Sequence, residues 1–245
     1  MREETSSTTI SAAQTTQETV VLLKDVQRFY ETPAGIVKAL NTVNLNIQKG
    51  DFAAIAGPSG SGKSTLLNLV GMLDTPTAGE VFVCGNKAAG LNRTEQAKLR
   101  REYMGFVFQA YNLIPVLNIL ENVEYVTLLL GWDKEKRYKR AREVLEQVGL
   151  TGLEERMPSE LSGGQQQRVA VARAIASNPQ LVLADEPTAN LDTSTGTALI
   201  DMMVDLNRKQ GITFIFSSHD PKVLDRAGRL ITIADGCIVK EERRV

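Results

Sequence analysis

Residues 52–65 read Phe52-Ala53-Ala54-Ile55-Ala56-Gly57-Pro58-Ser59-Gly60-Ser61-Gly62-Lys63-Ser64-Thr65. The first five are apolar without alternation, which predicts a short parallel strand covered on both faces. The glycines that follow predict a tight loop, and Lys63 opens a helix running to about Met72. Placed between a strand and a helix, such a loop is a phosphate cradle. Without side chains at Gly57, Gly60 and Gly62 the backbone can wrap closely enough for its N–H groups to hold phosphate oxygens. Pro58, Ser59 and Ser61 complete the loop and Thr65 follows it. Lys63 supplies a cation for β- and γ-phosphates, and Ser64 offers a hydroxyl to Mg²⁺.

Upstream of the loop, Val20-Val21-Leu22-Leu23 and Val43-x-Leu45-x-Ile47 are strand signals, with Lys49-Gly50-Asp51 as a turn. Downstream, a strand is expected between Gly79 and Gly85, a helix from about Thr94 to Glu102, and a strand from Met104 to Phe108. From Ala110 to Glu160 the pattern turns helical; Arg137 to Val148 is its clearest amphipathic stretch and Gly149 its stop. Strands return at Leu181–Ala184, Thr213–Phe216 and Leu230–Ile233, with a helix from about Thr195 to Gln210. This alternation predicts an α/β fold: a parallel sheet with helices on both faces and a helical lobe, about 110–176, inserted between strands. Residues 20–245 form that domain, whereas the Ser/Thr-rich stretch 1–19 reads as a disordered tail.

Bulk properties exclude several classes. The longest apolar run, Val123 to Leu130, is interrupted by Glu124 and Tyr125 and falls short of the roughly 20 residues that span a bilayer. The N-terminus lacks the apolar segment of a signal peptide. A net charge of −1 argues against nucleic acid as the main partner. The basic run Lys134 to Arg142 is interleaved with Glu135 and reads as a solvated helix face. Cys84 and Cys237 have no metal or redox spacing, which fits a reducing, cytoplasmic setting.

Two further stretches carry chemistry. Leu181-Val182-Leu183-Ala184-Asp185-Glu186 sets an acidic pair at the end of a buried strand. Asp185 suits a Mg²⁺ held through water, and Glu186 suits the general base for an attacking water. Two carboxylates here can also cap the next helix; the phosphate loop upstream favours the metal and base roles. Leu161-Ser162-Gly163-Gly164-Gln165-Gln166-Gln167-Arg168 is a second glycine pair opening a helix. Ser162 can cap that helix, whose first turn, Gly163, Gly164 and Gln165, presents N–H groups and a positive dipole end. Val169, Ala172 and Ile175–Ala176 would be its buried face.

With these motifs in order, the chain resembles the ATP-binding-cassette (ABC) ATPases, whose signature is Leu-Ser-Gly-Gly-Gln. The resemblance covers nearly everything after Val20. It implies a phosphate-loop NTPase fold with a mainly parallel core sheet, an antiparallel β subdomain and an inserted helical lobe. ATP and Mg²⁺ are the implied ligands, and hydrolysis the implied reaction. It makes His219, the only histidine, a contact to the γ-phosphate, and Gln109 a ligand of Mg²⁺ and the attacking water. It makes Tyr30, or neighbouring Phe29, the aromatic that stacks on adenine. Asp192 stands in the D-loop, where Ala189 replaces a common serine. A signature helix with no phosphate of its own implies a head-to-tail homodimer with two ATPs sandwiched between the copies.

Gly71–Gly79 and Ala184–Asp192 look most like lipoprotein-releasing and macrolide-exporter ATPases. That likeness implies a permease partner with few spans and a large extracytoplasmic domain, and a peripheral place on the inner face of the membrane. Tyr111–Pro115 would then line the groove that receives a helix of that partner. Cytosolic assembly work such as iron–sulfur cluster delivery, non-transporting control of a cell-envelope factor, and import are the rival readings.

Overall fold

A computed structural model describes residues 18–33 and 35–244. Residues 1–17, most of the expected tail, lie outside the described residues. The tail is shorter than expected at its inner end: Thr19 opens the first strand, and the Glu18 carboxylate pairs with the Lys49 ammonium at 2.8 Å.

Strands β1 (Thr19–Thr32) and β2 (Gly35–Gln48) form a long antiparallel hairpin. Their inner halves carry the apolar runs read from sequence, whereas the outer halves pair Phe29 with Lys38 and Tyr30 with Val37, without alternation. The chain continues through β3 (Phe52–Ala56), α1 (Lys63–Val70), β4 (Ala78–Val83), β5 (Asn86–Lys87), α2 (Arg93–Tyr103) and β6 (Met104–Val107). Residues 108–118 contain no helix, so the lobe begins later than predicted. It consists of α3 (Ile119–Leu129), α4 (Lys134–Gln147), a single 3₁₀ turn at Pro158–Glu160 and α5 (Gly163–Ile175). Asn118 and Asp133 cap α3 and α4 by accepting from backbone N–H groups. After the lobe come β7 (Leu181–Ala184), α6 (Thr193–Gln210), β8 (Thr213–Ser217), α7 (Pro221–Leu224), β9 (Arg229–Ala234) and β10 (Cys237–Arg243).

Two sheets result. The antiparallel one runs β2-β1-β4-β5; the core sheet runs β10-β9-β3-β8-β7-β6, parallel throughout except for β10. Strand alternation divides β3 between two cores. Phe52, Ala54 and Ala56 join the apolar cluster of α5, α6 and the lobe, where the Phe52 ring lies 5.6 Å from Phe214 and 5.1 Å from Phe216. Ala53 and Ile55 face α1 and the antiparallel sheet. Helix α5 lies between the lobe and the core sheet and is buried on more sides than its predicted stripe: Gln167, Ala170, Val171 and Ala174 are buried beside Val169, Ala172 and Ile175.

The parallel order puts the C-terminal ends of β3, β6, β7 and β8 along one edge. From them leave the phosphate loop, Gln109, the Asp185–Glu186 pair and His219. Ligand sites of open α/β sheets form on this edge.

Candidate active site

The loop after β3 is shaped by close approach. A Cβ on Gly57 would lie 2.2 Å from the Ile233 carbonyl, and one on Gly62 2.5 Å from the Ala39 carbonyl. Gly62, at φ 107, is also the N-cap of α1, so no side chain occupies the helix's free N–H groups. Pro58, Ser59 and Gly60 form an exposed rim, and Thr65 is half-buried on the first turn. Lys63 is 8% exposed and donates from Nζ to the Gly57 and Pro58 carbonyls at 2.8 and 3.0 Å. Among the described residues no carboxylate pairs with it, and the buried Ser61 hydroxyl has no partner. A buried ammonium, an orphaned hydroxyl and uncapped N–H groups together fit a polyphosphate.

Beside the loop, Asp185 Oδ1 accepts from Ser64 Oγ at 3.2 Å and from Ser217 Oγ at 2.6 Å. Ser217 Oγ in turn accepts the Glu186 N–H at 2.8 Å. Glu186 is held at φ 47, in the left-handed region, a strain of about 1–3 kcal/mol typical of functional positions. Both its carboxylate oxygens meet His219 Nδ1, at 3.2 and 3.1 Å. The His219 side chain is 71% exposed, so its ring also faces solvent. Among the described residues no three His, Cys, Asp or Glu groups converge on a metal site. The Ser64 hydroxyl with the Asp185 carboxylate is instead the partial, hard-oxygen set that suits Mg²⁺ completed by phosphate and water.

Ser217 escaped the sequence reading. Its signal was weak, a polar residue ending an apolar strand, and its role depends on the pairing of β7 with β8. Gln109 is not drawn into this cluster. Its side chain is exposed and makes no hydrogen bond among the described residues, while its backbone carbonyl accepts from Asn190 Nδ2 at 2.9 Å.

At the signature run, Ser162 caps α5 as expected. Gln165 closes the arrangement: its N–H donates to Ser162 Oγ at 3.3 Å, and its Oε1 accepts the Ser162 N–H at 3.0 Å. The Gln165 N–H is therefore not free, contrary to expectation; only those of Gly163 and Gly164 lack intrahelical partners. Asp192 has a local duty as N-cap of α6. Hydrogen bonds from Ser194 and Thr195 hold its carboxyl well below the ordinary range.

Tyr30 is anchored, and Phe29 is not equivalent to it. The Tyr30 hydroxyl donates to Asp74 Oδ2 at 2.7 Å, and the Arg28 guanidinium lies 4.4 Å from its ring centroid while pairing with Asp74 at 2.8 Å. The Phe29 ring has no hydroxyl to anchor it and carries the Lys38 ammonium 5.6 Å from its centroid. One face of the Tyr30 ring is thus taken and its plane is set.

A cavity of about 390 Å³ opens beside Gln109, lined by Leu73, Arg100, Phe106, Phe108, Val126 and Leu129 among others. The expected lining, Tyr111–Pro115, is absent from it. Arg173 binds the carbonyls of Tyr111 and Asn112, Leu113 packs on the core, and the buried Asn122 side chain accepts the Ile114 N–H and donates to the Ile114 carbonyl.

Comparison with known proteins agrees with this geometry. The sequence profile of the ABC transporter family matches residues 40–189. An uncharacterised ABC transporter ATP-binding protein of Methanocaldococcus jannaschii, MJ0796, is 46% identical over 231 residues, spanning 91% of this chain and 97% of that protein. The macrolide export ATP-binding/permease protein MacB 2 of Yersinia pestis is 43% identical across 91% of this chain, which matches one third of that longer protein. The solved dimer of MJ0796 in a post-hydrolysis state with ADP and Pi superposes with a TM-score of 0.83, covering 91% of this chain and 98% of that one. This chain belongs to the ABC transporter family, as one of its ATP-binding, ATP-hydrolysing subunits.

Proposed function

We propose that two copies of this chain close head to tail on two ATP molecules and drive a membrane partner in export or extraction of a substrate. The observation that carries the hydrolytic half is the hydrogen-bonded run Ser64–Asp185–Ser217–Glu186–His219 beside the phosphate loop. Lys63 and the uncapped N–H groups of α1 hold the β- and γ-phosphates. Ser64 and Asp185 would hold Mg²⁺, with Gln109 joining when the lobe swings inward; the ion would neutralise charge on the phosphate oxygens. Glu186 takes a proton from water as its oxygen bonds to the γ-phosphorus and the bond to the bridging oxygen breaks, releasing ADP and phosphate. His219 orients the Glu186 carboxylate and turns its free edge toward the γ-phosphate. Tyr30 offers its open face to adenine. The partner copy's signature helix, through Gly163 and Gly164, closes over the phosphate from the far side.

The transport half is supported by the groove beside Gln109. Leu73 and Leu129 are each about half exposed there, an apolar patch suited to a short segment of another protein. Among the described residues no helix is long and apolar enough to cross a membrane, and the proposal gives the membrane part to a partner. The motif likeness to macrolide exporters, and the 43% identity to MacB 2, favour a few-span permease with a large extracytoplasmic domain, with this chain on its cytoplasmic side.

Glu186→Gln tests the chemistry. Removing a general base lowers turnover by about 100-fold or more; the variant should still bind ATP and accumulate as a dimer on gel filtration. Turnover near the wild-type rate would remove Glu186 from the role. A tagged pull-down from mildly solubilised native membranes tests the partner. A permease of about four spans with a large outer domain is expected; a many-span permease with a binding protein would favour import, and soluble partners alone would overturn the transport reading.

A further inference from the structure

Helix α5 carries one fully buried polar side chain, Gln167. Its Nε2 donates to the Pro187 carbonyl at 2.7 Å and to the Phe108 carbonyl at 3.3 Å. Both partners are acceptors, so the amide orientation is unambiguous. Its Oε1 is buried and meets no donor among the described residues. An apolar side chain of the same shape would remove this unpaired oxygen but leave the buried Pro187 carbonyl without its donor, so the residue's value here lies in its two donors. Asn122, the fully buried amide of α3, makes the contrast. Its amide is satisfied on both ends by the backbone of Ile114, Leu117 and Asn118, as a purely structural tie should be.

The two carbonyls Gln167 binds are well placed. Phe108 directly precedes Gln109, and Pro187 directly follows Glu186. A second tie joins the same two segments: Asn190 donates to the Gln109 carbonyl at 2.9 Å. Further along α5, Arg173 donates to the carbonyls of Tyr111 at 2.9 Å and Asn112 at 2.5 Å, residues held at φ 59 and 50. Arg173 and Phe108 also line the groove. The groove wall, the signature helix and the turn bearing Glu186 are therefore joined through three side chains.

We propose that Gln167, seconded by Asn190, is a positioning residue for hydrolysis: it fixes the Phe108–Gln109 segment to the Glu186–Pro187 turn, so that movement at the groove moves Glu186 relative to the γ-phosphate. This rests on the assignment of Glu186 and Gln109 to the hydrolytic step. None of the hydrogen bonds of Gln167 or Asn190 reaches the phosphate loop, so their loss should appear in turnover and not in ATP binding.

The test compares Gln167→Leu, Asn190→Ala, the double variant and Glu186→Gln with the unmodified full chain, by steady-state hydrolysis, by binding of a fluorescent ATP analogue and by thermal melting. Gln167→Leu should lower kcat about tenfold with KM and analogue affinity within twofold. Asn190→Ala, at an exposed side chain, should lower kcat about threefold. The double variant should lose less than the product of the two, because both act on one junction. A folded Gln167→Leu with kcat within twofold of wild type, or with a loss explained by weaker ATP binding, overturns the proposal even if Glu186→Gln is inactive. If Glu186→Gln itself turns over normally, the underlying assignment falls and the proposal with it. Should Gln167→Leu fail to fold, Asn190→Ala decides: unchanged kcat overturns, a fall in kcat at constant KM supports.

Discussion

Two helices of this chain open on glycines, and their N-termini are finished in opposite ways. Helix α1 has Gly62 as its N-cap, with no side chain to take its first N–H groups, and the buried Lys63 ammonium beside them. Helix α5 supplies its own cap through the reciprocal Ser162–Gln165 pair and has no basic residue in its first turn. The first end is incomplete without an anion. The second is complete as a helix end and keeps only the Gly163 and Gly164 N–H groups to offer. One end can hold a triphosphate alone; the other can add to a triphosphate already held elsewhere, and that difference is the physical case for a head-to-tail pair.

Removing the cation at the first end should have the largest effect. Lys63 is its only positive side chain, and a hydrogen bond to a charged group is worth about 1.5–3 kcal/mol, or roughly 10- to 150-fold in affinity. Lys63→Ala should weaken ATP binding by about 100-fold in a direct titration, with hydrolysis lost at ordinary ATP concentrations. Binding within threefold of wild type would mean that the backbone N–H groups suffice and that the contrast between the two ends is overstated.

A bulky side chain at the second end should separate binding from turnover. Ser162→Phe blocks the approach of a second copy while leaving the phosphate loop untouched, so hydrolysis should fall by about 30-fold or more while ATP binding by the monomer stays within twofold. Loss of the cap costs about 1 kcal/mol of stability, and Ser162→Ala, which shares that loss, supplies the baseline by thermal melting. A Ser162→Phe variant that no longer binds ATP would place the signature run in its own chain's site and remove the argument for the pair.

How much of this could be read from the sequence follows contiguity. The phosphate loop, the Asp185–Glu186 pair and the signature run are each unbroken stretches, and β7 falls on its expected residues. The long β1–β2 hairpin was only half visible, because its outer half holds Arg28, Phe29 and Tyr30 by cross-strand pairing with no alternation to reveal it. Strand β10 was missed although Asp235-Gly236, both at positive φ, is a strong turn signal ahead of it. The groove draws on Leu73, Phe106 and Val126, one from each of three separate segments, so no local pattern could assemble it. Ser217, Gln167 and Asn190 act on partners 32, 59 and 81 residues away. Their importance exists only once the sheet is formed.

The smallest expected effect concerns the base end of the nucleotide, for which Tyr30 on β1 is the proposed platform. Asp74 lies just beyond α1 and fixes Tyr30, with Arg28 covering one face of its ring. Burial alone would raise the Asp74 carboxyl, but hydrogen bonds from Tyr30, the Thr75 N–H and Arg28, with the Arg28 charge, bring it below its ordinary range. Because folding lowers this pKa, the contribution of the pair to stability is complete above about pH 4 and is lost as pH falls through the lower folded value. Asp74→Asn should therefore narrow the gap in melting temperature to wild type below pH 4 and leave it largest near neutrality. With Tyr30 as the proposed base platform, it should also weaken ATP about two- to threefold while leaving inorganic triphosphate, which has no base, unchanged. Equal weakening of both ligands would show that Asp74 acts through the phosphate loop, and the α1 end would then be a phosphate site alone.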